Sequence, residues 1–432
     1  MGYGAEAIGH LSSGKAVFVQ GAVPGDTVEA RITEEKKSFA RAVVERIVTP
    51  SPERAQGWEA MAADPVMRAV APWAQLSYQA QLAAKQANVR SAFVRTAHMD
   101  ESVVDRLLQP IVPSVDEWAY RNKLELAAQP DGSGRLQLGF HAAGSDAFVA
   151  AKECKLGNRL LAKAPKALSG ALRYLAGQSD LGIYRVGIRA SQRTKSVEVA
   201  LWTPPSSFPR NFAAKVLVDA VKATSVVRVI ADKVASRKVK RVEVLDGQGF
   251  WRERLCGFDF TVSAPSFFQV NTNQAETLVN AALAAIEPKP GLVVADLCSG
   301  VGTFSLPLAK AGADVMAVEL EGSASRDFRA NVEENAVDAE MICDDVSRAL
   351  PELGALDAIV VDPPRAGLHE KAVSQMAQAN PAVIAYVSCD PQTLARDVAR
   401  FGEVGYQLRS VQPVDMFPQT YHVETVCVLA RP

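Results

Sequence analysis

The chain has 432 residues, 48% hydrophobic and 22% charged, with 47 Lys and Arg set against 48 Asp and Glu. At roughly 150 residues per domain, this length predicts two or three cores rather than one. No run approaches the ~20 apolar residues of a membrane span, and the N-terminus lacks the charged and apolar parts of a signal peptide, so the expectation is a soluble, cytoplasmic monomer with no membrane partner.

Residues 1–50 read as short β segments: Ala16–Val19, the turn Val23-Pro24-Gly25-Asp26, Thr27–Ile32 and Ala40–Val48. Through Gly4, Gly9, Gly14, Phe18-Val19, Val23 to Asp26 and Lys36 to Phe39, the segment resembles a TRAM domain, an OB-like RNA-binding barrel. The usual first strand is expected to be missing or shortened, and a generic small β domain is the alternative. Residues 51–110 predict a linker entering a helix from Leu76 to about His98. Residues 111–257 alternate apolar and polar positions, as in Lys123–Ala127, Leu136–Phe140 and Val197–Leu201. They predict a β-rich central RNA-binding domain with a helix near 157–176.

Charge is distributed unevenly along the chain. Residues 151–250 carry 19 basic and 7 acidic side chains, whereas 251–432 carry 13 and 24. A basic middle suits a surface that neutralises phosphates, and a solvated face accounts for it equally. Lys233, Arg237 and Lys238, in the run up to Arg241, are the candidate RNA contacts.

From Gly291 the pattern becomes apolar strand, Gly-rich turn, helix and strand again, which predicts a parallel α/β sheet in a domain spanning 258–432. The strand Leu292–Leu297 runs into Cys298-Ser299-Gly300-Val301-Gly302-Thr303-Phe304 before a helix over 305–311. Glycines at such a corner let a ligand approach the backbone. The next strand ends in Glu319, where a carboxylate accepts hydrogen bonds from ribose hydroxyls. A nicotinamide dinucleotide site is the rival, but the third glycine of its turn is absent, and a loop of the S-adenosylmethionine (SAM) type fits better. Asp344 and Asp345 close a third strand, either toward an adenine or as a solvated turn. A fourth strand delivers Asp362-Pro363-Pro364-Arg365-Ala366-Gly367, with Arg365 where enzymes methylating exocyclic amines carry a stacking aromatic.

The fifth strand ends in Ser388-Cys389-Asp390-Pro391, placing a thiol at the sheet edge where ligands bind. Free cysteines are usually buried and structural, and that is the expectation for Cys256, Cys343 and Cys427. At Cys389 the polar flanks and strand-end position favour a nucleophile. Carbon 5 of uracil attacks poorly until something adds to carbon 6, which a thiolate does well. A base must then remove the carbon 5 proton. Glu424 is the candidate and His422 its rival.

These motifs together resemble the RNA 5-methyluridine methyltransferases over nearly the whole chain: Phe267-Phe268-Gln269-Val270-Asn271, Asp296 to Phe304, Glu319, Asp362 to Gly367, Ser388 to Pro391, and Phe417 to Glu424. The resemblance implies a C-terminal Rossmann-like class I SAM methyltransferase domain, a β-rich central domain and an N-terminal OB-like TRAM barrel. It implies Cys389 as nucleophile and Glu424 as proton acceptor. The SAM contacts it implies are Gln269, Cys298, Thr303, Glu319 and Asp362, with Gly300 in the loop and Asp344 beside them. Phe268 and Arg365 are expected to face the RNA. The TRAM-like start points to the members acting on 23S ribosomal RNA. Alternatives are a transfer RNA uridine-5 enzyme, a cytosine-5 enzyme, disfavoured because Pro364 follows Pro363 where those enzymes carry a cysteine, and an idle RNA-binding factor.

Ribosomal members commonly hold a [4Fe–4S] cluster on three cysteines after the barrel and a fourth in the central domain. Here Arg54 to Ala74 contains none, and only Cys154 matches a ligand position. One thiol does not hold such a cluster. The expectation is SAM alone, with no metal and no iron–sulfur centre, and with Trp58, Met61, Met67 and Trp73 filling the vacated space.

Overall fold

A computed structural model describes every residue except 12, 143–145, 178 and 233–237. Lys233 and Arg237 therefore lie outside the described residues. Three sheets carry most of the chain, with a short hairpin between the second and third.

The N-terminal unit is a four-stranded sheet in which Glu6–His10 pairs with Ala16–Gln20, and the long strand Phe39–Thr49 sits between Ala16–Gln20 and Thr27–Glu35. The strand Glu6–His10 that opens this sheet is five residues long. The unit buries only small side chains, among them Ala7, Val17, Val19, Ala40 and Ala42. So small a core depends on its neighbours. Asp26 supplies one tie, a buried ion pair with Arg54 at 2.6 Å.

The expected linker carries two short helices, Trp58–Ala63 and Pro65–Val70, and the helix expected after it is present and belongs to the C-terminal core. Helix Tyr78–Arg95 buries Val89, Ala92 and Phe93 in the same apolar cluster as Leu394, Val398 and Phe401. Its start is fixed by Ser77, whose hydroxyl accepts from the Ala80 amide. Residues 108 and 112 then run parallel to the edge strand Gln407–Val414.

The central sheet has seven strands, ordered Val239–Gly247, Ser225–Ala231, Val197–Thr203, Arg185–Ala190, Lys123–Pro130, Leu136–His141 and Phe148–Ala150. One helix, Ala164–Ala176, lies near the expected place. A second, Arg210–Val221, was not anticipated. Topology demands it: Val197–Thr203 and Ser225–Ala231 are parallel neighbours, and a parallel pair needs a crossover. The expected boundary at 257/258 falls inside the hairpin of Trp251–Leu255 and Phe258–Val262, both of whose strands share a core with the C-terminal sheet.

That last sheet runs Ala339–Ile342, Asp314–Val318, Val293–Leu297, Ala358–Val361, Val383–Ser388, Glu424–Ala430, Gln407–Val414. The first five are parallel and the last two antiparallel. All five parallel strands end at one edge, where an open α/β sheet leaves its ligand crevice. Among the described residues, no helix is long and apolar enough to cross a membrane.

Candidate active site

The corner after Leu297 is shaped by backbone torsions that favour glycine. Gly300 has φ 57° and Gly302 φ 98°. A Cβ on Gly302 would lie 2.5 Å from Leu306 Cδ1 and against the Phe328 ring, whereas one on Gly300 would meet nothing within 4 Å. The first glycine therefore leaves open space above the loop, and the second lets the helix pack. Cys298 also has positive φ, at 63°. Its thiol is pushed up to about 12 by burial and by the carboxylates of Glu319, Asp362, Asp296 and Asp345. Thr303 is half-buried at the start of the helical turn.

Glu319 closes the loop, accepting from the Gly300 amide through one oxygen at 2.9 Å and from the Glu321 amide through the other at 2.7 Å. Asp296 accepts from the Ser305 hydroxyl at 2.5 Å, and burial pushes its carboxyl up to about 7. The other Asp296 oxygen and the buried Ser299 hydroxyl have no partner among the described residues. Buried polar atoms are normally paired, so an open, glycine-lined cradle edged by unsatisfied oxygens fits a polar nucleoside carrying an amino acid tail.

One strand over, Asp362 is raised by burial and by the Asp296 charge, while Gln269 Nε2 donates to it at 3.3 Å. On the next strand stands Cys389. The register pairs Ser388 with Thr425, which sets Cys389 beside Glu424 at the mouth of the neighbouring strand. The Cys389 thiol is pushed up to about 12 by burial and by the Glu424 and Asp362 charges, with Arg365 acting the other way. Glu424 is buried, its carboxyl is raised well above the usual range by burial and Asp362, and its Oε2 has no partner among the described residues. His422 packs between Phe417 and Tyr421 and is pushed down to about 3 by burial, which makes it a poor base.

The turn leading into Glu424 is held from the helix Tyr78–Arg95. Gln81 donates to the Gln419 side chain and accepts from the Gln419 amide, both at 2.9 Å. Lys85, fully buried, pairs with Asp415 at 2.5 Å and donates to the Phe417 carbonyl at 3.0 Å. Tyr120 donates to the Pro418 carbonyl. Gln419 itself has φ 68°. Sequence reasoning passed over Gln81 and Lys85, although two polar residues four apart on the apolar stripe of a helix are a visible signal.

Several expectations are corrected. Phe268 is a core residue packed on Trp251 and Phe260, because alternation along the segment turns it inward; its neighbour Phe267 is 65% exposed. Asp344 is half-buried, and Arg348, one helical turn on, takes its carboxylate. Asp345 is the one whose charge bears on Cys298, although its side chain also caps the short helix after it. Cys343 is exposed, while Cys256 is half-buried and Cys427 fully buried. Arg365 is exposed and 3.9 Å from Asp390. Lys238 is exposed. Met67 shares a core with Cys154, Ala71 and Ala74, and Met61 packs against it. Trp58 lies instead under the Arg54 guanidinium, and the Trp73 indole donates to the Gly4 carbonyl.

The sequence profile described as tRNA (Uracil-5-)-methyltransferase matches residues 252–432, and that of the TRAM domain matches residues 2–44. An uncharacterized RNA methyltransferase of Thermosynechococcus vestitus is 33% identical over 428 residues, covering 96% of this chain and 93% of that one. The 23S rRNA (uracil(1939)-C(5))-methyltransferase RlmD of Shewanella amazonensis is 32% identical, covering 95% and 90%. Among solved structures, the Pyrococcus abyssi tRNA (uracil-54, C5)-methyltransferase in complex with S-adenosyl-L-homocysteine matches with a TM-score of 0.72 at 27% identity, over 98% of this chain and 99% of that one.

Proposed function

This chain belongs to the SAM-dependent RNA uracil-5-methyltransferases, and on that premise we propose that it methylates carbon 5 of a uridine in 23S ribosomal RNA through a covalent bond from Cys389 to carbon 6. The observation that carries the reading is a strand-end thiol beside a buried carboxylate on the adjoining strand, one of whose oxygens has no partner among the described residues.

When bound, SAM would supply an electrophilic methyl group on a positively charged sulfur, and Gln269, Cys298, Gly300, Thr303, Glu319 and Asp362 would form its cradle. The Cys389 thiolate adds to carbon 6 and drives an electron pair onto carbon 5. Carbon 5 bonds the methyl group as the methyl–sulfur bond breaks. Glu424 then takes the carbon 5 proton, and the electrons of that C–H bond re-form the ring double bond and expel the Cys389 thiolate. Arg365, the cation at this edge, favours both anionic forms. The target base is extruded from its stack to reach this edge, and the basic 151–250 region with the TRAM unit grips the surrounding RNA.

Glu424→Gln should stall after methyl transfer and leave RNA bonded to Cys389, visible as a denaturation-resistant band. Cys389→Ala should abolish band and product together, and normal turnover by Cys389→Ala would sink the covalent mechanism. A transfer RNA substrate is the second reading, favoured by the whole-length likeness to the Pyrococcus abyssi enzyme. Labelled methyl transfer to undermodified ribosomal and transfer RNA, with the modified uridine mapped, separates the two.

A further inference from the structure

The TRAM unit sends one side chain into the catalytic edge. Tyr3, 386 residues before the nucleophile, donates its phenol proton to the Cys389 carbonyl at 3.0 Å. That carbonyl lies past the last sheet pair, Ser388 with Thr425, and before the helix Pro391–Glu403, which Asp390 caps by accepting from the Gln392 and Thr393 amides. It therefore belongs to a turn between two ladders, where the peptide plane is otherwise free to rotate. The amide side of that plane is already held, because the Asp390 N–H donates to the Ser388 hydroxyl at 3.2 Å. Tyr3 holds the carbonyl side. Together they fix the plane through which the Cys389 side chain is aimed.

The same phenol lies against the Arg365 guanidinium, a cation that acts on the Cys389 thiol. Its ring meets Tyr421 edge-on at 5.8 Å, and Tyr421 in turn covers His422, two residues before Glu424. The backbone beside it is also anchored: the Gly4 carbonyl accepts from the Trp73 indole at 2.8 Å, while the Trp73 amide donates to the Gln419 carbonyl at 3.0 Å. A single contact from the first strand's approach thus reaches the nucleophile, its cation and the turn before the proton acceptor.

We propose that Tyr3 is a positioning residue for the reaction, through which the RNA-binding unit sets the Cys389 peptide plane and keeps Arg365 beside the thiol. The proposal rests on the reading of Cys389 as nucleophile. It makes the TRAM unit part of the active site rather than only a handle for RNA.

Tyr3→Phe keeps the ring and removes only the donor. Losing one hydrogen bond of this kind should lower kcat by roughly 3- to 10-fold, with KM for RNA and for SAM unchanged within about twofold. Alkylation of Cys389 by iodoacetamide, mapped by mass spectrometry without RNA, should slow at every pH between about 7 and 10, since the thiolate loses a fixed cation among Glu424, Asp362 and Asp390. Unchanged kcat and unchanged alkylation would overturn the proposal. So would a weaker RNA affinity at full kcat, which would make Tyr3 an RNA contact. Should Cys389→Ala retain turnover, the covalent reading would fall by itself, while the alkylation rate would still report whether Tyr3 sets this thiol.

Discussion

Burial pushes the Cys389 thiol up to about 12 and raises the Glu424 carboxyl above its usual range, so in both groups the shift favours the protonated form. Both must lose that proton to act, so the two shifts have the same sign of consequence. Activity should rise with pH through the neutral range and into the alkaline, and a profile of kcat/KM that peaks below pH ~6 would contradict this. In the free enzyme, Cys389 should alkylate more slowly at pH ~7.5 than exposed Cys343, as mapped by mass spectrometry. Gly302 gives a second residue-scale test. With φ 98° and no room for a Cβ, Gly302→Ala should cost about 1–3 kcal/mol in unfolding and abolish SAM binding by calorimetry, whereas near-native affinity would show that the loop tolerates rearrangement.

At the scale of elements, the helix Tyr78–Arg95 matters more than its place outside the C-terminal sheet suggests. Its buried stripe contains Gln81 and Lys85 among Leu82, Val89, Ala92 and Phe93, and those two polar groups grip the turn that presents Glu424. Lys85→Ala would leave the buried Asp415 carboxylate without its cation and with the Tyr78 hydroxyl as a side-chain donor, and removing one partner of a buried pair typically costs about 3–5 kcal/mol. The unfolding free energy from denaturant titration should fall by that amount, and a change under about 1 kcal/mol would contradict the role given to this ion pair. The helix itself was legible from its apolar period. Its task was not, because a buried Lys and an exposed one have the same letter, and only the packed partner tells them apart.

At the scale of the whole molecule, Cys154 sits in a packed core with Met67, Ala71 and Ala74, its thiol raised by burial. Iron chelation should leave the melting temperature unchanged, and anaerobically purified protein should show no absorbance near 400 nm; a visible band there would refute the cluster-free reading. The sequence by itself determined the order of units, the strand–turn–helix corner at Gly300 and the strand-end stations of Glu319, Asp362 and Cys389, since each is written in local periodicity and turn chemistry. Tertiary structure alone decided that Phe268 turns inward and that Arg348 takes Asp344, that residues 210–221 form a crossover helix, that Glu424 is buried with one oxygen unpartnered among the described residues, and that Tyr3 reaches the catalytic turn. Those outcomes depend on burial and on pairings between segments hundreds of residues apart, and no local spacing encodes either.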